Sequence, residues 1–324
     1  MKARYKSLIL ALIGIVLVLV SLSTGGTFIS PRSLVDALAG GGDPVYYTIL
    51  VKLRLPRILL ALVIGASLAV SGTVFQAVLK NPLADPYIIG VSGGAALGAT
   101  VGIVCNAAPF MVSAAAFLGS IGAITGVYLL TGRMRLGSTS LILSGIALGF
   151  IFSAAVLLIY ALSRSDQIHR AMLWLMGDLS GARYDLLGGM GAASLLLVCA
   201  VLYYHRHLDI ISLGDRFSKN LGVSGMDVKV LFWAASLLAA VSVSLAGVVG
   251  FVGLIVPHLM RNIFGPGHLR LVPAAAVGGA LFLLVSDAIG RSIAPPYEVP
   301  VGIITGFLGG AFFLVHMMRR EGRP

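Results

Sequence analysis

The chain predicts an all-α, polytopic membrane protein with about ten transmembrane helices, and three observations carry that expectation. First, 58% of its 324 residues are hydrophobic and only 11% are charged, against a charged share of about 25% in soluble domains. Second, its mean hydropathy is +1.00. Third, apolar runs of spanning length recur along the whole chain, and at ~20 residues per helix and roughly 30 per pass there is room for about ten passes and little else. We therefore expect one transmembrane domain over 1–324. The 41 glycines lie inside apolar stretches, where small residues let helices approach closely; this excludes collagen-like and disordered classes.

The first element is a basic start, Lys2, Arg4 and Lys6, followed by an apolar run from Leu8 to Leu22. Without a clear small-x-small cleavage site, it reads as an uncleaved first helix with its basic end in the cytoplasm. Further spans are expected near 58–79, 88–104, 109–131, 141–162, 185–204, 230–247, 249–264, 271–290 and 299–318. The segment 230–264 is too short for two full helices and a turn, so its second leg, the eighth span, is expected to be short or broken around Leu245 to Gly253. Non-helical backbone at membrane depth needs protein or water around it, which places this break at a helix interface or beside a pathway.

Ten passes from an inner start end inside, so both termini are expected to be cytoplasmic. With that topology 15 of the 23 lysines and arginines fall on the inner side, the bias that orients membrane proteins. The outer exceptions cluster at Lys52, Arg54 and Arg57 and from Arg164 to Arg183. The formal charge of +11 is scattered among apolar segments, which argues against a nucleic-acid stripe. Cys105 and Cys199 stand far apart in apolar surroundings and read as packing residues. Glycines four apart, at Gly90, Gly94 and Gly98, at Gly145 and Gly149, and at Gly302, Gly306 and Gly310, each share a helix face, for packing within the chain or, in the last set, for a dimer face.

Motifs for aqueous catalysis are missing: the sequence contains no P-loop lysine motif and no His-Glu-x-x-His, and its one Gly-x-Ser-x-Gly, Gly90 to Gly94, lies in an apolar span rather than at the strand-to-helix turn of a nucleophile elbow. No metal site is expected, because His258 has no second histidine at ligand spacing. Asp287 and Arg291 are four residues apart and can pair on one helix face. An ion-coupled transporter would need further acids at membrane depth. Trp174 and Tyr184 suit either an interfacial belt or a short helix lining a vestibule. The Asn81-Pro-Leu-Ala-Asp-Pro86 corner after the second span is stiffened by two prolines.

Taken in order, several stretches resemble the FecCD-type permeases of ABC importers for ferric siderophores, haem and cobalamin. These are Arg54-Leu-Pro-Arg57, Gly65-Ala-Ser-Leu-Ala-Val-Ser-Gly72, Gln76, Asn81 to Pro86, Gly90-Val-Ser-Gly-Gly-Ala95, Trp174-Leu-Met-Gly177, Leu213-Gly-Asp215 with Leu221-Gly-Val-Ser224, Gly250 to His258, Arg261, Asp287, Arg291 and Val299-Pro-Val-Gly302. The resemblance implies a type II ABC importer permease in the bacterial cytoplasmic membrane. Such a permease dimerises and works with two ATP-binding subunits and an extracytoplasmic substrate-binding protein; a homodimer is expected over a two-gene heterodimer because closed twofold symmetry is the commonest oligomer. It also implies that this chain hydrolyses nothing and binds no cofactor, ATP and Mg being held by the partner ATPase subunits.

Site roles follow from the same likeness. Arg54, Arg57 and Arg291 are expected to receive glutamates of the binding protein; anchoring to lipid headgroups is the competing reading. Arginine suits such docking because its fork matches a carboxylate and keeps its charge. The polar connector 205–229 is expected to form short helices that couple to the ATPase, with Asp215, Arg216, Ser218, Lys219, Asn220, Leu221 and Gly222 at its centre. Structureless connectors of this length are uncommon without a task. Asn81 and Leu83, with Ser138 and Thr139, are expected at a cytoplasmic gate; capping of the next helix by Ser138 or Ser140 is an equal reading.

Overall fold

The computed structural model describes residues 3–39, 41, 43–132 and 138–321. Ten apolar helical segments run through it, and no strand occurs among the described residues. The helices in chain order are α1 Ala3–Ser23, α2 Pro31–Leu38, α3 Pro44–Tyr47, α4 Leu55–Val78, α5 Val91–Val104, α6 Pro109–Gly132, α7 Ser138–Ala161, α8 Ser165–Leu175, α9 Tyr184–Tyr203, α10 His205–Ser212, α11 Asp215–Asn220, α12 Gly225–Ala246, α13 Val252–Phe264, α14 His268–Ser292 and α15 Val301–Glu321. Seven are long and apolar enough to span a membrane, while α5, α13 and the apolar part of α15 are shorter. The ten segments fall where the sequence places ten spans. Besides the expected short eighth leg, the third is also short, because Gly90 turns left-handed and starts α5 only at Val91.

Helix α4 is the central post. It runs on from α3 through a π turn at Thr48–Arg54. Pro56 has no N–H for the ordinary helical ladder, and the wider π register accommodates it. The helix then packs on α12, α13 and α14. Glycines set these distances: a Cβ on Gly65 would stand 2.2 Å from the Gly279 carbonyl oxygen, and one on Gly72 only 1.9 Å from that of Gly253. Helices α5 and α6 meet in the same manner, through Gly94 against Gly119 and Gly98 against Ala115. Of the glycine sets read from spacing, Gly94, Gly98, Gly145 and Gly302 pack against backbone, whereas Gly149, Gly306 and Gly310 have open space beside them.

The break between α12 and α13 runs through Gly247 and Phe251, both at positive φ. Its polar groups find partners inside the protein: Asp178 N–H donates to the Ala246 carbonyl at 2.8 Å, and Val249 N–H to the Tyr87 hydroxyl at 3.4 Å. The break is thus an interface feature packed on α4 and on the 3₁₀ turn Pro86–Ile89. Cys105 and Cys199, expected in packing roles, are instead exposed. Apolar neighbours do not separate buried from lipid-facing positions, since hydrocarbon and protein core are equally apolar solvents.

Replacing Gly72 by alanine drives a methyl into the Gly253 backbone, so we expect a loss of about 1–3 kcal/mol or more. It should read out as a lower thermal unfolding midpoint of the detergent-solubilised protein. Gly149→Ala, with nothing beside its Cβ, should leave that midpoint in place.

Candidate functional site

At one end of the bundle the three predicted arginines come together around Asp287. Arg291, one turn further along α14, donates from Nε to Asp287 Oδ2 at 2.9 Å, which is the i,i+4 pair read from the sequence. Arg57 of α4 donates from Nε to the other oxygen, Oδ1, at 2.9 Å. Asp287 is 1% exposed and Arg291 4%, so this carboxylate bridges two guanidiniums out of water. The remaining donors of Arg291 go to the end of α1: Nη1 to the Thr24 carbonyl at 3.1 Å and Nη2 to Ser21 Oγ at 2.8 Å. Arg54 donates to the Leu22 carbonyl at 2.6 Å and to the Thr27 carbonyl. Gly25, at φ +147°, lies against both Arg54 and Arg291, where a Cβ would be 3.0 Å and 3.3 Å from their nitrogens.

This arrangement differs from three arginines held out to a partner. Arg54 and Arg291 are buried and tie α1 to α4 and α14; Arg57 alone turns its outer edge to an exposed carboxylate, Glu298, at 2.5 Å. Lys52, Arg54, Arg57, Arg291 and Glu298 line a cavity of about 480 Å³. Sequence spacing did not point to Glu298, which is 241 positions from Arg57 and became a partner only through folding. Asp287 is an ion-pair anchor at a helix end, and this placement leaves an ion-coupled mechanism without its mid-span acid.

At the opposite end, the connector 205–229 folds as the two short helices α10 and α11, as expected from its polarity. Asp209 of α10 anchors it to the spans. The Asp209 carboxylate accepts the His268 backbone N–H at 2.8 Å and lies 2.6 Å from that ring's Nδ1. It thereby caps α14, whose own N-cap, Gly267, has no side chain to do so. This pair too escaped sequence reading. Ser218 and Lys219 line a cavity of about 350 Å³ together with Lys80, Tyr128 and Leu141, so the connector meets the ends of α4, α6 and α7. Arg216, Asn220 and Leu221 are exposed, and Gly222 turns the chain at φ +84°. The side chain of Asp215 lies outside the described residues.

The predicted gate corner is closed by its own hydrogen bonds. Asn81 Oδ1 accepts the Leu83 N–H at 2.9 Å, and Lys80 sits at φ 51°. Asp85 then caps the 3₁₀ turn by accepting the Tyr87 N–H at 2.8 Å, and burial pushes its carboxyl up to about 6. Leu83 and Thr139 are exposed; the side chain of Ser138 lies outside the described residues. The corner and α7 do meet, at Gly145, where a Cβ would be 2.2 Å from the Ile88 carbonyl oxygen. Trp174, near the end of the short helix α8, lines a cavity of about 590 Å³ with Phe110, Asp178 and Arg183. Tyr184 stays exposed and donates from its hydroxyl to the Val51 carbonyl at 2.6 Å. The His258 ring packs edge-on to Phe312, with ring centroids 6.5 Å apart.

Ten apolar helical segments, a broken helix packed inside the bundle and a polar helical connector on one end define a multi-pass helical membrane protein. Comparison with known proteins gives the family: the chain belongs to the FecCD transport family, which matches residues 12–319. It is 36% identical over 316 residues to the hemin transport system permease of Yersinia pestis, covering 95% of this chain and 93% of that one. It is 39% identical over 274 residues to the cobalamin import permease of Halobacterium salinarum, covering 84% and 73%. An inward-facing metal-chelate type ABC transporter superposes with a TM-score of 0.85 at 32% identity, over 96% of this chain and 97% of that one. The protein is accordingly the permease component of an ABC importer and works in a complex with other subunits of such a transporter.

Two outcomes follow from the geometry. Asp287→Asn leaves the buried Arg291 guanidinium and the inner edge of Arg57 without their shared carboxylate, and breaking such a pair costs about 3–5 kcal/mol, measurable as a lower unfolding midpoint. For Asp85, the folded group titrates at about 6 and the unfolded one at about 4, so the native state holds its proton more tightly. Stability should therefore fall as pH rises from about 4 to about 6 and change no further from this group above that. Asp85→Asn keeps the oxygen that accepts from Tyr87 and should abolish this decline; the difference between the two unfolding curves across that range measures it.

Proposed function

We propose that this chain is the membrane conduit of an importer for a metal chelate, a ferric siderophore, haem or cobalamin, in a bacterial cytoplasmic membrane. Two copies form the conduit. The 205–229 end faces the cytoplasm with both termini, and two ATP-binding subunits, which hold ATP and Mg, press on α10 and α11. An extracytoplasmic binding protein delivers the chelate at the arginine end. Residues Asn81 and Leu83, with Ser138 and Thr139, serve as the inner gate.

The observation that carries this reading is the connector. It is folded, polar and outside the spans, yet anchored to α14 through Asp209 and sharing a cavity with the ends of α4 and α7. A push on it reaches the spans directly. The substrate class draws on the relatives, which carry hemin and cobalamin in their names. Docking at the arginine end draws on its charge: four basic side chains line that cavity against one acidic side chain, and complementary charge speeds and orients association.

In proteoliposomes, uptake of a ferric siderophore, haem or cobalamin should require ATP and copurified nucleotide-binding subunits. Lys219→Glu with Leu221→Ala should weaken retention of those subunits by about tenfold, the scale of one interface anchor. Uptake by the chain alone on an ion gradient would refute the proposal.

A further inference from the structure

Within the arginine-end cavity the three guanidiniums are not equivalent. Arg54 and Arg291 give their donors to carbonyls of the Leu22–Thr27 stretch, to Ser21 and to Asp287, and both are buried. Arg57 divides its two edges: Nε holds the buried Asp287, while Nη1 holds Glu298, whose side chain is 46% exposed. Lys52 stands at the rim, exposed.

Glu298 is presented by a backbone held on either side. Tyr297 N–H donates to the Ala294 carbonyl at 2.8 Å, and Val299 N–H to the Gly290 carbonyl at 3.0 Å. The loop therefore stays on α14 whether or not the carboxylate stays on Arg57. Counting Asp287, two acids face four bases around this cavity, a surplus of two positive charges.

Resting on the docking reading above, we infer that Glu298 is a resident carboxylate occupying the outer edge of Arg57, and that an acidic side chain of the partner protein docks by replacing it, with Lys52 as the second cation. The exchange is like for like. Arg57 keeps a carboxylate on each edge before and after, so no buried charge is stranded while the partner arrives or leaves. The pair that breaks is the exposed one, which is the weaker kind; the buried pair with Asp287 remains and holds Arg57 in place. Glu298, once displaced, faces water. The charge surplus favours the incoming anion over an empty cavity.

The test uses the full chain in nanodiscs and a fluorescent hexaglutamate peptide as probe, scoring the part of its binding that is lost in Arg57→Gln. Competition by a resident group lowers apparent affinity by the fraction of sites left open, so Glu298→Gln and Glu298→Ala should each bind roughly threefold tighter or more than wild type. The double variant R57Q/E298Q should lose that gain. Unfolding midpoints of the Glu298 variants should match wild type, since the loop is held by its backbone. Arg57-dependent binding that fails to tighten in both Glu298 variants overturns the exchange and leaves the docking reading standing. Absence of Arg57-dependent binding in every variant overturns both.

Discussion

The close approach of α4 to α13 and α14 is the constraint on which the rest of the structure depends. Where Gly65 meets Gly279 and Gly72 meets Gly253, backbone touches backbone with no room for a methyl group. In lipid there is little hydrophobic gain in bringing helices together, so such contacts, with their dispersion and short separations, must supply the association. They also fix the rotation of α4. With its small face against α13 and α14, Arg54 and Arg57 at one end turn toward Asp287 and the end of α1, and Gln76 near the other turns its amide to the Leu254 carbonyl at 3.2 Å and its oxygen to Arg261 at 3.0 Å.

The arginine end shows how charge is kept beside a hydrocarbon phase. Each buried guanidinium is either paired with Asp287 or wrapped by carbonyls from the chain that leaves α1, and the wrap needs a glycine at position 25 to fit over both. Burial and pairing arise together. What remains at the surface is small: the outer edge of Arg57 with Lys52 and Glu298.

Helix α14 links this base to the opposite end of the molecule. Its last turns hold Asp287 and Arg291, and its first N–H is capped by Asp209 from the connector. One continuous helix of 25 residues thus carries a polar clamp at each end.

Composition and the spacing of apolar runs determined much by themselves: a polytopic helical bundle, ten segments, the short leg after the break near Gly247, and the i,i+4 pair of Asp287 and Arg291. All of these depend on residues near one another in the chain or on the length a helix needs to cross lipid. Tertiary structure alone decided which arginines are buried and which one keeps an exposed edge, that Glu298 sits on Arg57, that Asp209 caps α14, and that Cys105 and Cys199 face outward. The physical reason is the same in each case. In a chain whose buried and lipid-facing surfaces are equally apolar, the pattern of side chains does not say which helix faces which, and only the packing of helices distant in sequence brings those partners within bonding distance.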